Sequence, residues 1–265
     1  MGQLDKAAIH KTVQPKRTLI VIKLGTGVLS KVEGRALDDR QFQRIAQEVA
    51  ALHKSGTSCV IVSSAAIAAG VDILGMSCRP GDLSGKQACA AVGQPALMRA
   101  YSDAFESYGL KVAQLLLTHG DIDSRVRRAN TRNTLDRLLS VGVIPIINEN
   151  DSVAVEELRF GDNDRLSAEV AMLVSATQLL MLTSVDGIQD ESGVRVPVIS
   201  DINGAYTLVR PDKGPEAMGG MRTKLEAAQT VTAVGIQCAI LDGRKPGQIA
   251  EAIALKDVGT RFQPS

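Results

Sequence analysis

The sequence predicts an α/β fold, a three-layer αβα sandwich around a central, mostly parallel sheet. Short apolar runs rich in β-branched residues recur along it: TLIVIK at 18–23, SCVIV at 58–62, VIPII at 143–147, QLLMLT at 178–183 and CAIL at 238–241. Runs of this kind fill strands that are buried on both faces. Between them lie stretches with apolar residues at helical spacing, and regular alternation of strand and helix gives a parallel sheet between helical layers. The 265 residues are 45% hydrophobic and 22% charged, enough for one sizeable core. No linker rich in Pro, Gly or Ser, no internal repeat and no low-complexity tract divides them, so one domain over 17–265 is expected after a loose arm at 1–16.

Composition removes several function classes. A formal net charge of +1 gives no electrostatic basis for binding nucleic acid or anionic lipid, and 3% aromatic residues without Trp supply no base-stacking platform. No apolar stretch approaches the ~20 residues of a membrane span, and the polar start lacks the apolar centre of a secretory signal. Cys59, Cys78, Cys89 and Cys238 form no CxxC pair and no metal spacing with His10, His53 and His119. That pattern suits a reducing cytoplasm, and none of the four is assigned chemistry.

Taken in order, the first strand signal at 18–23 ends in Lys23 and runs into Leu24, Gly25, Thr26 and Gly27, a glycine turn with a lysine at its rim. Asp38 or Asp39 caps a helix whose apolar face is Phe42, Ile45, Val49 and Leu52 and which stops at Gly56. The second strand, 58–62, ends in the small residues Ser63 to Gly70, which allow a ligand or another backbone to come close. Residues 85–108 are helical, with Pro95 either starting a new helix or kinking the old one. A strand at 111–117 and a charged amphipathic helix at 123–139 follow, the latter with Arg125, Arg127 and Arg128 on a solvated face. The segment 186–200 reads as a hairpin or excursion. Beyond it, Gly219 and Gly220 form a third glycine turn, and Thr223 and Lys224 open a helix. Residues 238–241 form the last strong strand, followed by Gly243 and a short helix from Pro246.

The most informative stretch is 143–168, where an apolar strand stops at Asn148, Glu149, Asn150 and Asp151. Four hydrogen-bonding side chains directly after a buried strand exceed what a turn requires. A second polar cluster, Gly161, Asp162, Asn163 and Asp164, opens a helix running through Leu166, Val170 and Leu173. Asp and Asn also serve as ordinary N-caps, and by itself the second cluster is no more than that. In open α/β sheets, however, ligands bind at the carboxyl ends of strands.

Neither GxGxxG nor GxxxxGK[ST] is present, so the glycine turns are individually unspecific. A lysine ending an apolar strand is costly to bury without an anionic partner, and phosphate is one such partner. Phosphoryl transfer fits this inventory, since it asks for positioning and charge neutralisation more than for a covalent nucleophile. A carboxylate acceptor, already ionised near neutral pH, needs no general base, which accounts for the lack of a well-placed histidine.

The ordered motifs VIKLGTGVL, VSSAAIAAG, VIPIINENDSV, FGDNDRLSA and MGGMRTK resemble those of the glutamate 5-kinases of the amino acid kinase family, across about residues 18–262. The resemblance implies transfer of the γ-phosphoryl group of ATP, with Mg²⁺, to the side-chain carboxylate of L-glutamate, giving L-glutamyl 5-phosphate for proline synthesis. It implies Lys23, Asp164 and Lys224 as catalytic residues and Ser64, Asn148, Asp151 and Asn163 as the glutamate site. The nucleotide side takes Lys23, Gly25, Thr183, Ser184, Met218, Gly219, Gly220, Met221 and Lys224. Asp162 and Asp164 are the residues implied for Mg²⁺, directly or through water. Inhibition by L-proline and a homo-oligomer, dimer or tetramer, are further implications, with the helix at 85–108 as an interface. Acetylglutamate, aspartate or carbamate kinases of the same family are alternative readings, as is a non-catalytic nucleotide-binding or amino-acid-binding member. The chain departs from the family at Ala65, where glycine is usual, and at Ser184, where an acid is common. It also ends without the C-terminal PUA module of many bacterial members, so a kinase domain standing alone is expected.

Overall fold

The computed structural model describes residues 18–31, 36–153, 162–208 and 215–264. The arm at 1–16 and Gly161 lie outside the described residues, as do the side chains of Asp162, Met218 and Gly219. In chain order the elements are β1 (Leu19–Leu24), α1 (Thr26–Leu29), α2 (Asp39–Lys54), β2 (Ser58–Ser63), α3 (Ala66–Ile73), α4 (Leu83–Glu106), β3 (Val112–Leu117), α5 (His119–Asp123), α6 (Arg125–Ser140) and β4 (Ile144–Glu149). They continue with α7 (Asp162–Leu173), β5 (Gln178–Thr183), β6 (Val198–Ile199), α8 (Ile202–Ala205), α9 (Pro215–Thr232), β7 (Gln237–Asp242), α10 (Gln248–Ile253) and β8 (Thr260–Phe262). The strands form one sheet in the order β3-β4-β2-β1-β5-β7-β8-β6, parallel except for the antiparallel pair β7 and β8.

Strand alternation divides the core into the two expected layers. Val21, Val60, Val62, Ile147, Leu179, Met181 and Ile240 face α6, α7 and α9 through Leu135, Leu166, Val170, Leu225 and Val231. Ile20, Ile22, Ile61, Ile146, Leu180 and Leu241 face α2, α4 and α10 through Phe42, Ile45, Leu97, Tyr101 and Ile249. This confirms the three-layer αβα reading.

One local reading, the glycine turn at 219–220, is revised, and the others are narrowed. The helix at 85–108 is a single element, α4, with Pro95 inside it. The small residues of 63–70 form most of α3, and their size serves helix packing: a Cβ on Gly70 would meet the Cys89 carbonyl oxygen at 1.9 Å, and one on Gly93 the Ala66 oxygen at 1.9 Å. Gly219 and Gly220 lie within α9 rather than in a turn, because the helix already starts at Pro215, a residue whose fixed φ suits a first turn. The excursion at 186–200 closes with an isolated antiparallel bridge between Gln189 and Arg195 and then enters β6. Asp38, not Asp39, caps α2, accepting from the Arg40 amide. Arg125, Arg127 and Arg128 are exposed, as expected. Cys59 and Cys238 are buried, and burial drives both thiols up, Cys59 to about 12, which leaves them unreactive.

Candidate active site

The site lies where the parallel strands β1, β2, β4 and β5 end. In register, Leu24 of β1 stands beside Ser63 of β2 and Leu182 of β5, so the polar residues that follow each strand converge on one edge. Lys23 shares the face of Val21 by strand alternation, and its side chain therefore points toward α7 and α9. These helices supply Asp164 from the first turn of α7 and Lys224 from the middle of α9.

These three side chains meet. Lys23 Nζ lies 2.7 Å from Asp164 Oδ1, and Lys224 Nζ lies 3.0 Å from Asp164 Oδ2. The Thr223 hydroxyl also donates to Asp164 Oδ2 at 2.7 Å, and the Ser167 hydroxyl donates to the Asp164 carbonyl at 2.6 Å. Asp164 is 1% exposed, Lys23 6% and Lys224 9%. Burial acts to raise the Asp164 pKa, but the Lys23 and Lys224 charges, with hydrogen bonds from Lys23 and Thr223, overcome it and hold the carboxyl at about 2. Burial and the neighbouring Lys23 charge lower Lys224, and Asp164 opposes that shift. One carboxylate thus holds two buried ammonium groups at one point, an arrangement that carries a net positive charge and is suited to an anion.

On one flank is the glycine turn. The Gly25 amide donates to the Leu182 carbonyl at 3.0 Å, tying the turn to β5. A Cβ on Gly25 would stand 3.3 Å from that carbonyl, a tight fit against β5, and in ordinary contact with Lys23 Nζ at 3.8 Å. Ser184, just past β5, packs beside Gly27, and the Thr183 carbonyl accepts the Gly243 amide at 2.7 Å. The Gly220 carbonyl accepts from Lys224 Nζ at 3.0 Å, which steadies the lysine, while Met221 packs half-buried against the core. Two arginines that the sequence gave no cause to single out brace this flank. Arg244 donates from Nε to the Gly27 carbonyl at 2.7 Å and from Nη2 to the Ser30 carbonyl at 3.3 Å. Arg44 of α2, paired with Glu48 at 2.7 Å, donates to the carbonyls of Gly243 and Lys245 on either side of Arg244.

On the other flank is a set of amides. Asn163 Nδ2 donates to Ser64 Oγ and to Asn148 Oδ1, each at 3.2 Å. Asn148, 2% exposed, lies within β4 rather than beyond it. Asn163 Oδ1 is buried and has no hydrogen-bond partner among the described residues, so it stands as an acceptor awaiting a donor. Asp151 is half-buried in the turn after β4. Three of the four expected glutamate-site residues are therefore in direct contact with one another, and the fourth is on the adjoining turn.

Among the described residues no group of three His, Cys, Asp or Glu side chains converges on a metal position. Both Asp164 oxygens are already engaged by lysines, which does not fit direct ligation of a cation by this residue.

The fold and the buried lysine pair around one aspartate define a class of phosphate-handling α/β protein, and the amino acid kinase family profile matches residues 18–242. The chain belongs to the amino acid kinase family. Within it, the chain is similar to the glutamate 5-kinases. It is 41% identical to the glutamate 5-kinase of Myxococcus xanthus over 253 residues, covering 93% of this chain and 67% of that protein. It is 44% identical to the Thermus thermophilus enzyme (92% and 66% covered) and 44% identical to that of Citrifermentans bemidjiense (97% and 70% covered). The chain thus spans about two thirds of the length of these relatives.

Proposed function

We propose that this protein transfers the γ-phosphoryl group of ATP to the side-chain carboxylate of L-glutamate, forming L-glutamyl 5-phosphate, the first step of proline biosynthesis. The observation that carries the reading is Asp164 held between Lys23 and Lys224 next to a buried amide pocket whose Asn163 Oδ1 has no partner among the described residues. Lys23 and Lys224 meet the charge that spreads over the moving phosphoryl group, and Asp164 keeps both in place before the substrates arrive. Because the ammonium groups are already oriented and desolvated, little reorganisation accompanies the transfer. Thr183, Ser184, Gly25 and the first half of α9 border the nucleotide. Asp151 and Asn163 Oδ1 accept from the α-ammonium of glutamate, and the Ser64 hydroxyl and the neighbouring amides hold its carboxylates.

The acceptor carboxylate is ionised at neutral pH, so no side chain has to remove a proton. His119, the histidine at this edge of the sheet, is engaged with Glu169 at 3.2 Å. Mg²⁺ bound with the nucleotide would neutralise phosphate charge, and Asp164, with both oxygens on lysines, would act on it only through water. A cytoplasmic location agrees with a small-molecule kinase having four free cysteines, and no helix among the described residues is long and apolar enough to cross a membrane. Self-association through α3 and α4 agrees with the exposure of Ile73, Leu74, Met76, Leu83 and Val92 on and between these helices.

Hydroxylamine trapping with ATP, Mg²⁺ and a panel of acceptors tests the reading. Hydroxamate formed with L-glutamate, and far less with N-acetylglutamate or aspartate, supports it. Hydroxamate formed best with another acceptor, or with none, overturns it.

A further inference from the structure

The amide pocket continues away from the strand ends into the body of the protein. Asn148 Nδ2 donates to Gln94 Oε1 at 2.9 Å, and Gln94 Nε2 donates to Gln114 Oε1 at 2.8 Å. Gln94 lies on α4 and is 9% exposed, whereas Gln114 lies on the edge strand β3 and is exposed. Each of these primary amides has one donating and one accepting end, so fixing one fixes the next. At Asn148 the carbonyl end accepts the Glu149 amide at 2.9 Å, which leaves its NH₂ in need of a buried acceptor, and the Gln94 oxygen is that acceptor. The same Asn148 carbonyl then takes the NH₂ of Asn163, and Asn163 is left with its oxygen buried and, among the described residues, unpaired at the pocket.

We propose that Gln94, with Gln114 behind it, is a positioning residue for the acceptor site: by accepting from the Asn148 NH₂ it holds in place the amide that directs the Asn163 oxygen, and not its NH₂, toward the substrate. The class of group it selects is a hydrogen-bond donor or cation, such as the α-ammonium of an amino acid. This inference rests on the functional reading above and extends it to a helix and an edge strand that do not themselves touch the substrate. Without an acceptor at position 94 the Asn148 NH₂ is left buried and unpaired, and only the Glu149 amide still holds that side chain. An Asn148 displaced to hydrate that NH₂ no longer receives the Asn163 NH₂ in this geometry, and the Asn163 oxygen is no longer held toward the ammonium group.

The test compares the parent with Gln94→Met, which keeps volume but cannot accept strongly, and with Gln94→Glu, whose carboxylate still accepts from Asn148. Folding is checked by thermal melting, and KM is measured separately for glutamate and ATP by the hydroxamate assay. Gln94→Met is expected to raise the glutamate KM about tenfold, with the ATP KM and the kcat at saturating glutamate within about twofold of the parent, the pattern of lost ground-state binding. Gln94→Glu is expected to return the glutamate KM to within about threefold of the parent. An unchanged glutamate KM in Gln94→Met, an equal rise in both KM values, or no recovery in Gln94→Glu overturns the proposal. If Gln94→Met does not fold, Gln114→Met on the exposed edge takes its place, with a rise of about threefold expected and no change overturning it. A parent that forms no glutamyl hydroxamate overturns the functional reading and this inference with it, whereas an active parent with unresponsive variants overturns the inference alone.

Discussion

Ala65 sits at φ 80° and ψ 5°, in the left-handed region, immediately before α3 and one residue after Ser64. Alanine there costs about 1 kcal/mol relative to glycine, the residue usual at this position in the family. Ala65→Gly is therefore expected to raise stability by about 1 kcal/mol, read as a higher denaturant midpoint at unchanged slope. A lowered midpoint would mean that the alanine methyl contributes packing worth more than the strain. Lys23 was legible because a charge that ends an apolar run must find a partner, while Lys224 stood out only by its place after Gly219 and Gly220 and by the resemblance of MGGMRTK to the family's motif. Thr223, Gln94 and Gln114 were not legible. Their hydrogen-bond partners lie 59, 54 and 20 residues away along the chain, and nothing local marks a threonine or a glutamine on a helix or strand as paired with them.

At the scale of elements, the flank of the site proposed for the nucleotide is built by bracing. Gly243 lies so close to Val28 and Leu182 that a Cβ would meet them at 2.6 Å and 2.8 Å, and this approach brings Arg244 onto the carbonyls of α1 and the residue after it. Arg244→Ala removes both contacts while leaving the amide pocket untouched. Steady-state kinetics are expected to show the ATP KM raised about tenfold with the glutamate KM within twofold, since two hydrogen bonds of about 1 kcal/mol each hold the turn. A rise in the glutamate KM instead would place the brace on the wrong flank. The long elements were readable from periodicity, whereas β6 and β8, of two and three residues, carry too little pattern to be seen. The start of α9 was hidden because Gly219 and Gly220 look like a turn when the burial of Leu225 and Val231 is unknown.

For the whole molecule, the layer architecture followed from composition and alternation, while the strand order did not, because parallel pairing joins residues far apart in sequence. Only the folded chain brings Asp164 between its lysines, and this ties stability to pH. The carboxyl titrates at about 2 when folded against 3.8 ordinarily, so its stabilising contribution is present above about pH 4 and lost as pH falls toward 2. The shift corresponds to about 2 kcal/mol. Asp164→Asn is expected to flatten the acid limb of a stability-versus-pH curve, and a limb of unchanged steepness would assign acid unfolding to other carboxylates. The exposed apolar residues of α3 and α4 lead to a second expectation at this scale: light scattering gives at least a dimer, and Ile73→Asp lowers the mass, whereas a monomeric parent contradicts the assignment of that face. The central claim is that the lysine pair stabilises the moving phosphoryl group, and Lys224→Ala tests it most directly. The account predicts turnover reduced by about a thousandfold or more, with melting temperature and glutamate affinity close to those of the parent. Turnover within tenfold of the parent in a folded variant would contradict it.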